Sequence, residues 1–557
     1  MSTSLASLLR ERAADPTTAT RPYLRFEDAA WSFAETHAVA ARWAQLLLAR
    51  RDPARPFHVG LLLENRPEFV FTELGAALAG AVVVGLNPTR RGAHLAHDVS
   101  ASDCQLVVTE SRFAALLADA LATPDAPAPL VLDVDEDVPA ALAALPADDP
   151  RVPVGGDDLF LLVFTSGTTG GPKAVIRSHE KLALMGLGAA LMVTKATPDD
   201  VVYCAMPLFH SNAQVLALAM SLAAGCGLAL ARRFSKTRFL ADVRHHGATL
   251  FNYVGSPLAY VMDTPARPDD AENPLRLAYG NEGPRQYLDA FAARFGCAVH
   301  DSYGASEVGV AFSRADGDPP GALGKPQPGV VVLNEAGQQC ATARFDERGR
   351  LLNPEEAIGE IVNVGGRGLF EGYYKNPEAT AERSRGDRYY TGDLAYRDAA
   401  GYFYFAGRDV EWLRVDGENL LARPVEAILQ RHPDVLLAAV YAMPDAEAGD
   451  RVMAAVALRA GAAFDAVAFS RFLDAQADLS PKWHPTWLRI AAALPLSETG
   501  KVQKRRLQQR QLAAAPGERL YWRPRGADAF RPVTADDLAA LRARFAAAGN
   551  LARLSAW

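Results

Sequence analysis

Cysteine is scarce and scattered. The five residues (Cys104, Cys204, Cys226, Cys297, Cys340) form no CxxC pair in 557 positions, so neither a disulfide framework nor a zinc pattern can be drawn. That usage points to a reduced, cytoplasmic protein. A basic excess is missing too: 58 Lys and Arg stand against 65 Asp and Glu, a formal charge of −7, which argues against a nucleic-acid partner. Long apolar runs are absent. The most membrane-like stretch, Val215 to Ala231, is 17 residues long, is interrupted by Gly225 and Gly227, and ends on Arg232 and Arg233. A spanning helix needs about 20 apolar residues, so this stretch reads as a buried helix, a glycine turn and a buried strand, with no membrane span. The opening residues are broken by charge at Arg10, and no signal peptide is expected. No internal repeat is visible. What remains is an ordinary globular mix, 49% hydrophobic and 22% charged. At about 150 residues per domain, it has room for two to four domains.

The first 400 or so residues alternate short Val/Leu-rich runs with longer Ala-rich amphipathic ones. Val59–Leu63, then Arg66–Leu78, then Ala81–Gly85 reads as strand, helix, strand, the spacing of βαβ units with helices on both faces of a parallel sheet. Asn65 is placed as a helix cap, with Pro67 in the first turn and Glu68 close behind. Residues 123–156, rich in Pro, Asp and Ala, are expected to be a surface connection. After about residue 407 the rhythm changes: a helix near Pro424, strands around Leu436–Ala442 and Arg451–Leu458, a helix over Phe464–Ala475 and a strand near Trp487–Ala491. This pattern predicts an α/β chain with a large N-terminal domain over 1–406 and a small α+β domain over 407–515. A tail over 516–557 carries an amphipathic helix after the capping signal Thr534-Ala-Asp-Asp537.

The densest chemical signal is Phe164-Thr165-Ser166-Gly167-Thr168-Thr169-Gly170-Gly171-Pro172-Lys173, placed directly after the apolar run Leu159–Phe164. A strand opening into hydroxyls and glycines presents N–H and O–H donors to an anion such as a polyphosphate, and Lys173 adds a positive charge. It is not a Walker A loop: Pro172 precedes the lysine and Ala174 follows it.

This segment resembles the phosphate loop of the adenylate-forming superfamily, which includes acyl- and aryl-CoA synthetases, luciferases and peptide-synthetase adenylation domains. Further stations resemble that family in order. Tyr303-Gly304-Ala305-Ser306-Glu307 is similar to its Tyr-Gly-x-Thr-Glu motif, with Ser306 keeping the hydroxyl, and Leu369–Thr380 to a signature block. Tyr390-Thr391-Gly392-Asp393 is similar to its ribose-binding turn, Gly407-Arg408 to its hinge, and Thr499-Gly500-Lys501 to its catalytic lysine. The resemblance covers roughly residues 20–510.

The resemblance implies ATP, Mg²⁺ and CoA, and a large domain joined to a mobile lid. The nucleotide would be held by Thr165, Ser166, Gly167, Thr168, Thr169, Gly170, Lys173, Tyr303, Gly304, Ser306, Asp393 and Arg408. Glu307 would ligate Mg²⁺, a role suited to a hard oxygen donor. Lys501, with Glu307 and Arg408, would carry the chemistry by balancing charge between an attacking oxyanion and the α-phosphate. A carboxylate at position 393 can accept from both ribose hydroxyls, although an Asp after Gly392 also suits an ordinary turn on a loop. His210, in Pro207-Leu-Phe-His-Ser211, matches a pocket-wall position, and a merely packed histidine fits equally. Gly280 and Glu282, in Tyr279-Gly-Asn-Glu-Gly283, would border the substrate. Glu282 suggests an amine, hydroxyl or guanidinium partner, with solvent or an internal arginine as alternatives. Gly417 would line a thiol tunnel, and Val410 takes a hinge position that is often Asp or Lys. The stretches 407–419 and 279–283 resemble an actinobacterial branch related to long-chain acyl-CoA synthetases and fatty-acid transport proteins.

Two activities stay open on this resemblance. One is an acyl-CoA synthetase acting on a small-molecule acid. The other is an ATP-dependent diazotase coupling nitrite to an aryl amine, since that oxyanion could use the same nucleotide site. A non-catalytic carrier is disfavoured because Lys501, Asp393 and Glu307 are all present. A monomer or homodimer is expected.

Overall fold

The computed structural model of the chain describes residues 3–122, 128–165, 173–281, 283, 287–313, 317–319, 321–347, 351–408, 412–415, 418–446, 450–476, 479, 483–497, 500–524 and 526–554. The Val/Leu-rich runs form the interior strands of two sheets, buried on both faces as parallel strands under helices must be. The first sheet has six strands in the order Leu130–Asp133, Cys104–Thr109, His58–Leu62, Val82–Gly85, Leu159–Thr165 and Lys173–Ser178. All its pairings are parallel except the last, where Lys173–Ser178 folds back antiparallel on Leu159–Thr165. The second sheet has seven: Ala298–Ser302, Leu277–Asn281, Leu250–Val254, Val201–Cys204, Gly227–Leu230, Pro22–Phe26 and Ala29–Ser32. Six of these run parallel, and Ala29–Ser32 closes the edge as a hairpin. Helices such as Phe33–Ala49 and Pro67–Ala79 fill the space between the sheets in one continuous apolar core.

A third, mainly antiparallel sheet is built from residues 312–408, and its central strand Arg388–Arg397 carries Asp393. Beyond residue 408 come the hairpin Trp412–Val415/Glu418–Leu421 and a five-stranded sheet. That sheet contains Val435–Pro444, Asp450–Leu458 and Trp487–Ala491, close to the expected spans, with helices Ala422–Leu429 and Ala466–Asp474.

The structure corrects several local expectations. Residues 123–156 are not merely a surface connection: Leu130–Asp133 adds an edge strand to the first sheet, and Asp137–Ala143 is helical. An edge strand buries one face only, so the three-residue apolar run Leu130–Leu132, flanked by Pro129 and Asp133, reads as loop. The segment taken as a tail supplies Arg519–Trp522 and Arg531–Pro532 to the five-stranded sheet before the helix Ala535–Ala547, which Thr534 caps. Asn65 is not a helix cap. The cap position is Arg66, and the buried Asn65 side chain donates to the Met206 and Ala231 carbonyls (2.9 and 3.1 Å) and accepts from the Leu208 N–H (2.9 Å). The stretch after Val215 follows its reading: helix to Ala224, Gly225 at φ +70° in the left-handed region, then the buried strand Gly227–Leu230.

Candidate active site

Parallel strands bring their carboxyl ends to one edge of a sheet, and the loops that leave that edge are where α/β proteins place ligands. Here those loops follow Val254, Asn281 and Ser302, and a fourth begins after Cys204 and reaches His210. They are tied to one another. Asn281 Nδ2 donates to the Ser302 carbonyl (2.9 Å), while its Oδ1 accepts from Asn212 (3.2 Å). Asp301 accepts from the Tyr253 hydroxyl (3.0 Å) and the Gly283 N–H (2.7 Å). Gly280 has no room for a side chain: a Cβ there would lie 1.9 Å from the Tyr253 carbonyl oxygen. Exposed Gly304 lies against Asn281.

His210 precedes the helix that begins at Ser211, its ring 4.3 Å from that of Phe209. That helix is held to the sheet at two points, by Asn212 on Asn281 and by the buried Tyr279 hydroxyl, which donates to the Leu216 carbonyl (2.5 Å). Deeper along it, Gln214 donates to Glu73 (2.9 Å) inside the core, where burial pushes the Glu73 carboxyl up to about 8.

Asp393 is buried. It lies within the strand Arg388–Arg397, not on a loop; Gly392 at φ +70° and shifted registers with both neighbouring strands give that strand a local bulge. Its Oδ2 accepts from Tyr303 at 2.5 Å, a short, charge-assisted bond, and its N–H donates to Thr391 Oγ1 (3.0 Å). Across the ladder its backbone faces Arg408. Thus 303, 393 and 408, far apart in sequence, meet at one place.

Ser306 and Glu307 follow directly. The Ser306 carbonyl accepts from Arg177, a buried guanidinium that also donates to Ile176 O (2.7 Å). Burial lowers the Arg177 pKa, and the Glu307 and Glu371 carboxylates oppose that shift. Tyr373 donates to Glu307 Oε1 (2.8 Å); burial and the Glu307 charge push the phenol upward. Lys173 sits 5.5 Å above the Tyr373 ring and 3.4 Å from Glu382, and Thr165 lies opposite it in the hairpin. The hairpin therefore brings Thr165 and Lys173, the described ends of the glycine-rich segment, close to Tyr373 and, through it, to Glu307.

Lys501 comes from the small unit. Its N–H donates to Ser497 Oγ (3.1 Å), and the preceding Gly500, at φ +77°, accepts from Ser256 Oγ (2.8 Å). The lysine turn is thereby docked at the carboxyl end of strand Leu250–Val254. Ser166, Gly167, Thr168, Thr169, Gly170, Glu282 and Gly417 lie outside the described residues. Sequence reasoning missed the roles of Asn65, Arg177, Asn212, Ser256 and Tyr373. Only Tyr373 carried a signal, through its place in the Leu369–Thr380 block.

The arrangement fits a nucleotide with a hard cation. A cation bridging substrate phosphates asks one or two carboxylates of the protein. Glu307 offers Oε2, which has no hydrogen-bond partner among the described residues. No cluster of three potential metal-ligating side chains occurs among the described residues.

The chain belongs to the AMP-binding enzyme family: that family's model matches residues 10–374, and the AMP-binding enzyme C-terminal domain matches 424–501. It is 46% identical over 495 residues to the medium/long-chain-fatty-acid–CoA ligase FadD17 of Mycobacterium tuberculosis, covering 88% of this chain and 94% of the relative. It is 44% identical over 554 residues to the steroid-22-oyl-CoA synthetase of Rhodococcus jostii, covering 98% and 97%. Among solved structures, ATP-bound MatB from Rhodopseudomonas palustris superposes with a TM-score of 0.78 at 27% identity, covering 91% of this chain and 99% of that one. The anthranilate CoA ligase AuaEII with anthranoyl-AMP shares the fold at a TM-score of 0.80 and 21% identity, covering 92% and 97%. The chain is an AMP-forming ligase of the acyl-CoA synthetase type, using ATP and CoA on a small-molecule acid. No helix among the described residues is long and apolar enough to cross a membrane.

Proposed function

We propose that the acid is a large apolar one, a medium- or long-chain fatty acid or a steroid side-chain carboxylate, activated in the cytoplasm where ATP and CoA are supplied, by a monomer or homodimer. The observation that carries this reading is the near full-length similarity to two ligases whose acids are of those kinds. The half-buried Val215 and Leu216, on the helix beginning beside His210, agree with an apolar wall.

Two anions must meet, so the site has to supply positive charge and oriented donors. Lys173 and the donors of the Thr165–Lys173 hairpin take the β- and γ-phosphates. Asp393, oriented by Tyr303, accepts from the ribose, with Arg408 beside it. Glu307 would hold Mg²⁺, which neutralises triphosphate charge when bound. The acid's carboxylate oxygen forms a bond to the α-phosphorus while the bond to the pyrophosphate oxygen breaks. Lys501 balances the charge that gathers between them. A CoA thiolate then bonds to the acyl carbon and AMP departs with the electron pair of the C–O bond.

Pyrophosphate and AMP release, with and without CoA, across medium- and long-chain fatty acids, steroid side-chain acids and small aryl acids tests this. Preference for apolar acids with CoA-dependent AMP release is expected. Preference for small aryl acids, or CoA-independent turnover of nitrite with an aryl amine, overturns it.

A further inference from the structure

Lys501 can act only where the small unit places it, so whatever fixes that unit on the large one fixes the chemistry. Much of their contact is apolar: Leu258, Val261, Tyr287 and Phe291 share a buried cluster with Leu436, Leu437 and Tyr441, and Leu496 and Val502, flanking the lysine turn, pack on it. Apolar contact is non-directional and sets no register. Hydrogen bonds do.

Besides the Ser256 bond to the Gly500 carbonyl, directional contacts among the described residues gather at Tyr287. The buried Tyr287 hydroxyl lies within hydrogen-bond reach of the Val435 and Leu436 carbonyls (3.2 and 3.3 Å) and accepts from Arg459 Nη2 (2.8 Å). The Arg459 guanidinium lies over the Tyr287 ring at 5.1 Å and also donates to the Pro433 carbonyl (2.7 Å). Beside the pair is a cavity of about 250 Å³, lined by Met262 and Ala290 on one side and Arg431 and His432 on the other. Tyr287 and Arg459 both line this opening. Tyr287 is also six residues beyond Asn281, at the far end of the loop that leaves the site.

We propose that Tyr287 and Arg459 form a releasable latch, a pair of positioning residues that sets the small unit where Lys501 meets the carboxyl edge. The latch thereby governs adenylate formation rather than thiol transfer. The inference rests on the acyl-CoA-ligase reading, with Lys501 as the charge-balancing group. The second half-reaction starts from a finished anhydride, with no anionic attack on phosphorus for Lys501 to assist.

The test uses the full chain as wild type, Tyr287→Phe and Arg459→Met. Acid-dependent ATP–pyrophosphate exchange is measured beside thioester formation from supplied acyl-AMP and CoA. Each variant is expected to lose about tenfold in exchange, the scale of one charge-assisted hydrogen bond, while thiol transfer stays within about twofold of wild type or rises. If the ratio of the two rates stays within about twofold of wild type, through equal loss or no loss, the latch is refuted. A wild type inactive in both steps with every acid instead removes the ligase reading. Should Arg459→Met fail to fold, the isosteric Tyr287→Phe carries the test, with its melting temperature as the control.

Discussion

Glu73 offers a sharp physical prediction. It sits fully buried in the middle of helix Pro67–Ala79, and among the described residues it accepts a hydrogen bond only from Gln214, an amide donor without formal charge. Among the described residues, Glu73 Oε1 and Gln214 Oε1 are both buried acceptors without a hydrogen-bond partner, so a proton on the carboxyl supplies the donor that the pair lacks. Burial accordingly raises the carboxyl from 4.5 to about 8. Below pH 4.5 both folded and unfolded chains are protonated, and the group costs nothing. Between 4.5 and about 8 the folded chain keeps a proton that the unfolded chain releases, so stability falls with rising pH and levels off above the folded value. The full loss is ~5 kcal/mol by linkage, an order-of-magnitude ceiling because the native site can relax. Glu73→Gln removes the ionisation while keeping shape and the acceptor for Gln214. Urea unfolding of wild type and variant from pH 5.5 to 9 should show the variant gaining on wild type as pH rises, by roughly 2–5 kcal/mol at the alkaline end. Parallel stability curves would refute the reasoning, because they would mean that Glu73 ionises alike in both states.

Other expectations follow from the site. Lys501→Ala should lower acid-dependent pyrophosphate release by ~10²–10³-fold with little change in melting temperature, as for removal of one positioned transition-state donor; a near wild-type rate would remove its role. Tyr303→Phe deletes the 2.5 Å bond to buried Asp393, worth about 1.5–3 kcal/mol, and should raise the KM for ATP about tenfold or more while leaving the KM for acid little changed. Gly280→Ala must push a Cβ against the Tyr253 carbonyl, so the two strands have to part. A stability loss of ~1–3 kcal/mol by thermal denaturation should accompany reduced activity.

The site was unevenly legible. Thr165, Lys173, Tyr303, Glu307, Asp393 and Lys501 stand in dense local motifs, because nucleotide chemistry demands hydroxyls, glycines and charges at short spacing. Their partners left no such mark. Asn65 reads as a helix cap from its neighbours alone, yet it bonds residues 141 and 166 positions away, and no local propensity encodes that. Asp393 reads as a turn because Gly392 breaks the strand pattern, whereas a bulge absorbs the glycine inside a sheet. Arg177 looks like one more strand residue until the fold lays the Ser306 carbonyl against it.

Sequence alone determined the alternation of apolar runs, hence layered parallel sheets, and placed in short motifs the residue types that the proposed phosphate, ribose and charge-balancing roles call for. Those follow from hydrophobic periodicity and short-range chemistry, both written along the chain. Tertiary structure alone decided that Tyr303 meets Asp393, that Tyr373 meets Glu307, and that Ser256 receives the Lys501 turn. Such meetings depend on strand order and on how the small unit docks on the large one. Those are set by the packing of many distant side chains at once, and no single stretch of sequence carries them.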